Sequence, residues 1–404
     1  MKNDYSIQRS IELTNLSESF FKYKQIFISN MKNSEPLCPR DELLNYFNAS
    51  IVDWNDFHWQ LKNRITKSEQ LYDLIHITKE QKDEIDCVMK KYRWAITPYY
   101  LSQIRECSTN DPIFLQSIPQ IKELENIGFE DPMNEKNNNP AGAITRRYPD
   151  RVILNITNCC ASFCRHCQRR RNIGECDNHI SNDILQESID YIKHHPEIRD
   201  VLITGGDPLT LEDAFLDRLL NDIKNISSVE IIRIGSRTLV TLPQRITPNL
   251  INILKKYSPI YINTQFNHPY EITPETSSAC ELLADHGFVL GNQMVFLKGI
   301  NNNSNILQLL NQLLLKHRVR PYYIFHPKEV IGTKHFSITI EEGIKIYKKL
   351  RGFTSGLAIP TYVINAPNGM GKIPLNSQLL ELYNQKGQNI LKTWEGKDII
   401  LDLS

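Results

Sequence analysis

From residue 151 onward, short β-branched runs alternate with longer helical stretches. The runs are Arg151–Thr157, Val201–Thr204, Glu230–Ile234, Ile260–Phe266, Phe288–Phe296 and Pro321–His326. Between them lie stretches such as Asp183–His194 and Glu212–Lys224, with apolar residues at helical spacing. Parallel neighbours need long crossovers, so this alternation predicts a parallel sheet, open or closed into a partial barrel. Such sheets gather chemistry at the C-terminal ends of their strands. A last strand, Thr361–Ile364, runs into a glycine-rich loop that reaches Lys372. Residues 1–140 read as mostly helical, for example around Glu69–Ile77 and over Thr78–Trp94. The polar loop Asn134–Pro140 marks a boundary. The expected organisation is α/β, with a helical region 1–140, a barrel 141–330 and a C-terminal segment 331–404.

Directly behind the first strand stands the run Cys160-Ala-Ser-Phe-Cys164-Arg-His-Cys167. Soft thiolates at such spacing favour iron–sulfur clusters or zinc. A closed cluster or a structural zinc site takes four protein ligands, and this run offers three. The spacing suggests a cubane with one iron open to another ligand; a zinc site completed by a distant Cys or His is the alternative. Cys159 points elsewhere on an extended strand and is left out. Nine cysteines, an odd number and partly clustered, argue against a disulfide framework and fit a reducing cytoplasm. A hydrophobic content of 41% with 23% charged residues reads as soluble and globular. A net charge of +1 gives no global attraction for nucleic acid, and the triplet Arg169–Arg171 is too short to supply one. No apolar run reaches the roughly 18 residues of a membrane span, and the N-terminus lacks a signal-peptide core.

Three further motifs carry chemistry. Gly205-Gly206-Asp207-Pro208 follows the second strand, where glycines let backbone approach a ligand and free N–H and C=O groups can pair with an amino acid. Alone it is an ordinary turn. Lys372, with Gly369 and Gly371, reads as a solvated lysine, a phosphate loop without Walker spacing, or a Schiff-base lysine for pyridoxal phosphate (PLP). Arg147 and Arg151 flank Tyr148 and can clamp a phosphate, or can be ordinary surface arginines.

Taken together, these runs resemble the lysine 2,3-aminomutase family of radical S-adenosylmethionine (SAM) enzymes. Further matching runs are Ala95-Ile-Thr-Pro-Tyr-Tyr-Leu-Ser102, Ile232-Arg-Ile-Gly-Ser-Arg237, Asn263-Thr-Gln-Phe-Asn-His-Pro269 and Ala366-Pro-Asn-Gly-Met-Gly-Lys372. The resemblance covers roughly residues 50 to 380. It implies a partial (β/α)6 barrel with a helical N-terminal region and a C-terminal segment carrying the PLP lysine. It implies that Cys160, Cys164 and Cys167 bind a [4Fe–4S] cluster. Gly205, Gly206, Asp207 and Pro208 then hold SAM, with Gln293 and His268 as neighbours. Lys372 carries PLP, and Arg147, Tyr148 and Arg151 surround the phosphate and ring. Arg169 pairs with the substrate's α-carboxylate. The implied reaction takes a hydrogen from the substrate's Cβ and moves the α-nitrogen there, with a low-potential donor such as flavodoxin or ferredoxin supplying the electron.

Two departures from the family pattern refine this. Lysine-specific members set two aspartates against the substrate's distal ammonium; the corresponding positions here are Lys328 and Asn365. A buried ammonium facing Lys328 would be repelled, whereas a carboxylate would gain a charge-assisted bond. The expected substrate is therefore L-glutamate, converted to β-glutamate, with lysine or another amino acid as the alternative. Lysine-specific members also carry a structural zinc on one cysteine near residue 303 and three near the C-terminus. Here Asn303 stands at the first position and no cysteine follows Cys280. No structural zinc is expected, and a homo-oligomer stays open. Elemental analysis of chelator-treated protein should then show no stoichiometric zinc; about one zinc per chain still bound would contradict this.

Overall fold

The computed structural model describes residues 4–375, together with short strands at 380–381, 389–392 and 398–401. Nine strands pair in chain order: β1 (Ile144–Arg146), β2 (Arg151–Asn155), β3 (Asp200–Thr204), β4 (Ile231–Gly235), β5 (Ile260–Thr264), β6 (Val289–Val295), β7 (Val319–Phe325), β8 (Thr361–Asn365) and β9 (Lys372–Pro374). β2 to β8 run parallel; β1 and β9 add antiparallel edges. The ends do not pair with each other, so the sheet is a partial barrel. Each expected strand is present to within a few residues. The sheet itself continues past residue 330 through β8 and β9. β1 and β9, three residues each, are too short to announce themselves by alternation.

Six helices make the crossovers: Asn182–His194, Asp213–Lys224, Pro248–Lys255, Pro274–Asp285, Ser304–Lys316 and Ile340–Lys348. Their starts are set locally. Ser181, Thr247, Thr273, Asn303 and Thr339 each accept a hydrogen bond from a first-turn N–H, and Pro248 and Pro274 sit where proline suits a helix start. Asn303, at a cysteine position of the lysine-specific pattern, is thus a helix cap here.

Successive strand residues face opposite ways. One set, including Val201, Ile203, Ile232, Ile234, Ile260 and Ile262, packs into the hydrophobic core with the helices. The other set faces a cavity inside the barrel and is largely polar, including Arg151, Asp200, Arg233, Asn263 and Gln293. The core therefore lies between sheet and helices, and the barrel interior is left for ligands. Among the described residues no helix is long and apolar enough to cross a membrane.

The N-terminal region, helical as expected, begins with Asp4–Asn33 and holds the barrel through buried charge. Glu123 is fully buried. It accepts bonds from Arg165 Nε (2.9 Å) and Nη2 (2.6 Å), and from Arg170 Nη2. Arg170 also lies 3.7 Å over the Tyr92 ring. Both arginines belong to the cysteine segment. Replacing Glu123 with Ala should destabilise the fold by about 3–5 kcal/mol, because two buried guanidiniums lose their counter-charge. Denaturant unfolding of the variant beside wild type checks this; an unchanged midpoint would show that the pair contributes nothing.

Candidate active site

The cavity has a volume of about 930 Å³. That is near the top of the roughly 300–1,000 Å³ range of small-molecule sites, so it has room for more than one ligand. Cys160, Cys164 and Cys167 line it together with Arg147, Tyr148, Arg151, Arg169, Gly205, Gly206, Asp207, Gln293, Lys328, Asn365 and Lys372. The structure thus brings almost the whole expected set to one space.

The cysteine loop follows β2. Burial raises the Cys160 thiol, with Asp207, Cys167 and Cys164 adding to it, and burial and Cys164 raise Cys167. The three sulfurs are close enough to feel one another's charge. Among the described residues, no three His, Cys, Asp or Glu side chains are set to hold a single metal ion. Cys159 is buried and turned toward Arg64, whose Nη1 also donates to the Cys160 carbonyl at 2.7 Å.

The Gly-Gly-Asp-Pro turn fits directly beneath this loop. A Cβ on Gly205 would stand 2.4 Å from the Thr157 carbonyl, and one on Gly206 2.3 Å from that of Cys159. Gly205 also has φ +132°. The expectation of free N–H groups here needs correction. Gly206 N–H donates to Thr157 O and Asp207 N–H to Cys159 O, so the turn can offer a ligand carbonyl oxygen, which suits an ammonium. Asp207 is itself occupied, accepting from Ser236 Oγ (2.7 Å) and the Arg237 and Leu209 N–H groups. Pro208 and His268 do not reach the cavity wall. His268 packs on Phe27 and Tyr270 and accepts from the Tyr270 N–H, while burial and Arg105 hold its pKa down at about 3.

At the other end of the cavity, β8 and β9 pair so that Asn365 stands opposite Lys372. The Lys372 N–H donates to Tyr148 Oη at 3.0 Å, and its amine lies 5.5 Å over the Tyr148 ring and 5.6 Å over that of Tyr323. Arg151 covers Tyr148 at 3.7 Å. Lys372 is exposed, but to the cavity; burial, Arg147, Arg233 and Arg151 hold its pKa down at about 8. Gly369 lets the loop close, since a Cβ there would meet Arg147 Cδ at 2.8 Å and Met133 O at 2.9 Å. Lys328 is half-buried, with its amine 5.1 Å over Phe325. Burial, then Arg147, Arg169 and Lys372, push its pKa down to about 7. Asn365 Nδ2 is buried without a partner.

Several neighbours escaped the sequence reading. Arg237 donates to Cys164 Sγ at 2.7 Å and to the buried Glu271 at 2.6 Å. Arg233 pairs with Asp200 at 2.7 Å beneath Lys372. A charge inside the apolar run Ile231-Ile232-Arg233-Ile234 was the available signal, since it must face a cavity. Arg169 is held by Glu135, through Nε (3.0 Å) and Nη2 (2.9 Å), a partner 34 residues away that no local pattern marks.

Known proteins share this arrangement of sequence. Residues 154–310 match the family model of the Radical SAM superfamily, and residues 347–400 match the one described as Lysine-2,3-aminomutase. A glutamate 2,3-aminomutase from Clostridioides difficile is 51% identical over 401 residues, covering 98% of this chain and 94% of that protein. The match therefore extends beyond residues 50–380. L-lysine 2,3-aminomutases from Clostridium subterminale and Methanococcus maripaludis are each 46% identical, covering 86% of this chain and 84% and 82% of theirs. The chain belongs to the lysine 2,3-aminomutase family, radical SAM isomerases that shift an amino group within one molecule.

Proposed function

We propose that the protein carries PLP on Lys372 and converts L-glutamate to β-glutamate by moving the α-amino group to C3. The observation that carries this reading is Lys328, a cation on the cavity wall with the unpartnered amide of Asn365 on the same wall. With the substrate nitrogen committed to PLP on Lys372, recognition would rest on the substrate's two ends. Glutamate has a carboxylate at each.

The residues suit the groups the family uses. Three thiols face the cavity, and neighbouring cysteines help raise the pKa of Cys160 and Cys167, so the group favours a positively charged partner, as iron supplies. Gly205 and Gly206 are assigned to the amino group of SAM, Asp207 to bracing that turn, and Gln293 to the same ligand. Pro208 and His268 support from behind. Arg147 and Arg151 are assigned to the PLP phosphate, with Tyr148 beside the ring. When bound, the cluster and SAM supply a hydrogen-abstracting radical and PLP supplies the π-system that carries the nitrogen. The protein's part is to hold and exclude. Arg169 takes the α-carboxylate, Lys328 and Asn365 the distal one, and Tyr323 and Phe325 wall the space against water. A flavodoxin or ferredoxin is the proposed electron donor. An ammonium at the distal end would meet Lys328 with no anion to offset either charge.

Anaerobic assay with SAM, PLP, reductant and a panel of α-amino acids tests the substrate; β-glutamate should form, and faster turnover of lysine would overturn the assignment. Borohydride reduction of the PLP-loaded protein followed by peptide mapping should mark Lys372; a mark on Lys328 would reverse the roles of the two lysines. Lys328→Met should cost about 2–5 kcal/mol in kcat/KM for glutamate, roughly thirtyfold to several thousandfold, with cluster and PLP content retained. pH gives a separate check. The distal carboxylate favours protonated Lys328, whose pKa in the ligand-free protein is about 7. As pH rises above that pKa, binding must take up a proton, so affinity should fall by up to about tenfold per pH unit. PLP's phosphate moves the limb upward, and Lys328→Arg should remove it from the neutral range. An unchanged limb in that variant would assign it to another group.

A further inference from the structure

One buried carboxylate, Glu135, lies behind the cavity-lining Arg147 and Arg169 and has no role in the function proposed above. Glu135 is 7% exposed and lies among three guanidiniums. It holds Arg169 through two bonds of 3.0 and 2.9 Å. Its oxygens stand 3.8 Å from Arg147 Nη2 and 3.7 Å from Arg171 Nη2. The segment that carries it touches the other loops of the site. Phe129 N–H donates to Glu329 O beside Lys328, Ile331 N–H donates back to Phe129 O, and Asn368 N–H in the Lys372 loop donates to Pro132 O.

The geometry of the pair is informative. A guanidinium has a side edge, made of Nε and one Nη, and an end edge made of both Nη groups. Glu135 occupies the side edge of Arg169. Among the described residues no acceptor meets Nη1, and Arg169 lines the cavity. The end edge is therefore the one left for a ligand.

We infer that Glu135 is a positioning residue for substrate binding: it clamps the side edge of Arg169 so that the end edge takes the amino acid's α-carboxylate. The inference rests on the assignment of Arg169 to that carboxylate. Two physical effects follow. Arginine has a large rotamer entropy, and a fixed guanidinium loses less of it on binding. The clamp also keeps Arg169 from turning onto the anion site of its neighbour Arg147, so the phosphate and the carboxylate are held by separate guanidiniums. The opposite role is a placeholder: Glu135 would mimic the substrate's carboxylate and have to be displaced. The two roles differ in sign. Losing a clamp weakens substrate binding; losing a placeholder strengthens it.

The test is glutamate binding to PLP-loaded, SAM-free protein, read by the change in PLP absorbance without turnover. Glu135→Ala should weaken glutamate binding by about tenfold or more, as expected for a lost charge-assisted bond, with Glu135→Gln intermediate. In the active enzyme the same variants should raise KM more than they lower kcat. PLP affinity, measured in the same titration, should change little. Glu135→Gln preserves shape and so reports on binding if the alanine variant folds poorly. Combining Glu135→Gln with Arg169→Lys should give less than the product of the single effects. Tighter glutamate binding in either Glu135 variant would overturn the inference in favour of a placeholder. Unchanged binding, with Arg169→Lys still defective, would overturn the inference alone. Unchanged binding in Arg169→Lys would instead remove the assignment of Arg169 on which it rests.

Discussion

Two buried glutamates hold the segment on which the site depends. Glu123 takes Arg165 and Arg170; Glu135 takes Arg169 and approaches Arg171. The four arginines belong to one short stretch, interleaved with and following Cys164 and Cys167. Alternate members are drawn toward carboxylates that both come from residues 121–135. A basic cysteine loop left to itself would repel its own neighbours and reach for solvent. Paired in this way it stays packed against residues 121–135, with Cys160, Cys164 and Cys167 lining the cavity. Of the arginine triplet, Arg170 is buried and Arg169 lines the cavity, while Arg171 stays exposed.

The same logic explains why the barrel interior can be so polar. Outward-facing strand residues already satisfy the helices, so burial of apolar area does not require an apolar interior. The interior positions are free to carry charge, provided each charge is paired or left for a ligand. Arg233 is paired with Asp200, and Arg237 with Glu271. Lys328 and Lys372 make no salt bridge among the described residues, and burial with neighbouring cations lowers the pKa of both. These are the two positions where an arriving group gains most from the existing field.

What could be read from the sequence follows from range. β-Branched runs and helical spacing of apolar residues are local, and every strand from β2 to β8 was legible from them. The cysteine spacing, the glycine turn and the Lys372 loop are local as well, and they meet in one cavity because the ends of parallel strands meet. Partnerships across the chain were not legible. The residue that clamps Arg169 lies 34 positions away, and Glu271 and Arg237 lie 34 apart on different strand-end loops. The turn at Gly205 shows a subtler limit. Its motif announced close backbone approach, which is correct, but the close neighbour is the cysteine loop's own backbone, and that contact uses the N–H groups assigned to a ligand. His268 shows the same limit: a histidine at a strand end looked available, yet aromatic packing from Phe27 and Tyr270 covers it.

Under the proposed assignment, specificity in this architecture reduces to the sign of charge at one end of the cavity. On the assignments proposed above, the nitrogen end would be common to any amino acid that PLP can hold, and Arg169 would serve any α-carboxylate. The distal wall would then be left to discriminate, by what it leaves unpaired. With Lys328 and Asn365 there, a neutral side chain would leave the half-buried Lys328 uncompensated and a cationic one would add repulsion. Rejection of this kind is stronger than anything shape alone provides, because a missing methylene is worth only about 1–3 kcal/mol while unpaired buried charge exceeds that. A wall of aspartates would invert the preference by charge alone. The scaffold can therefore keep its cysteine loop, its clamped arginine and its lysine hairpin unchanged while the substrate changes from one amino acid to another.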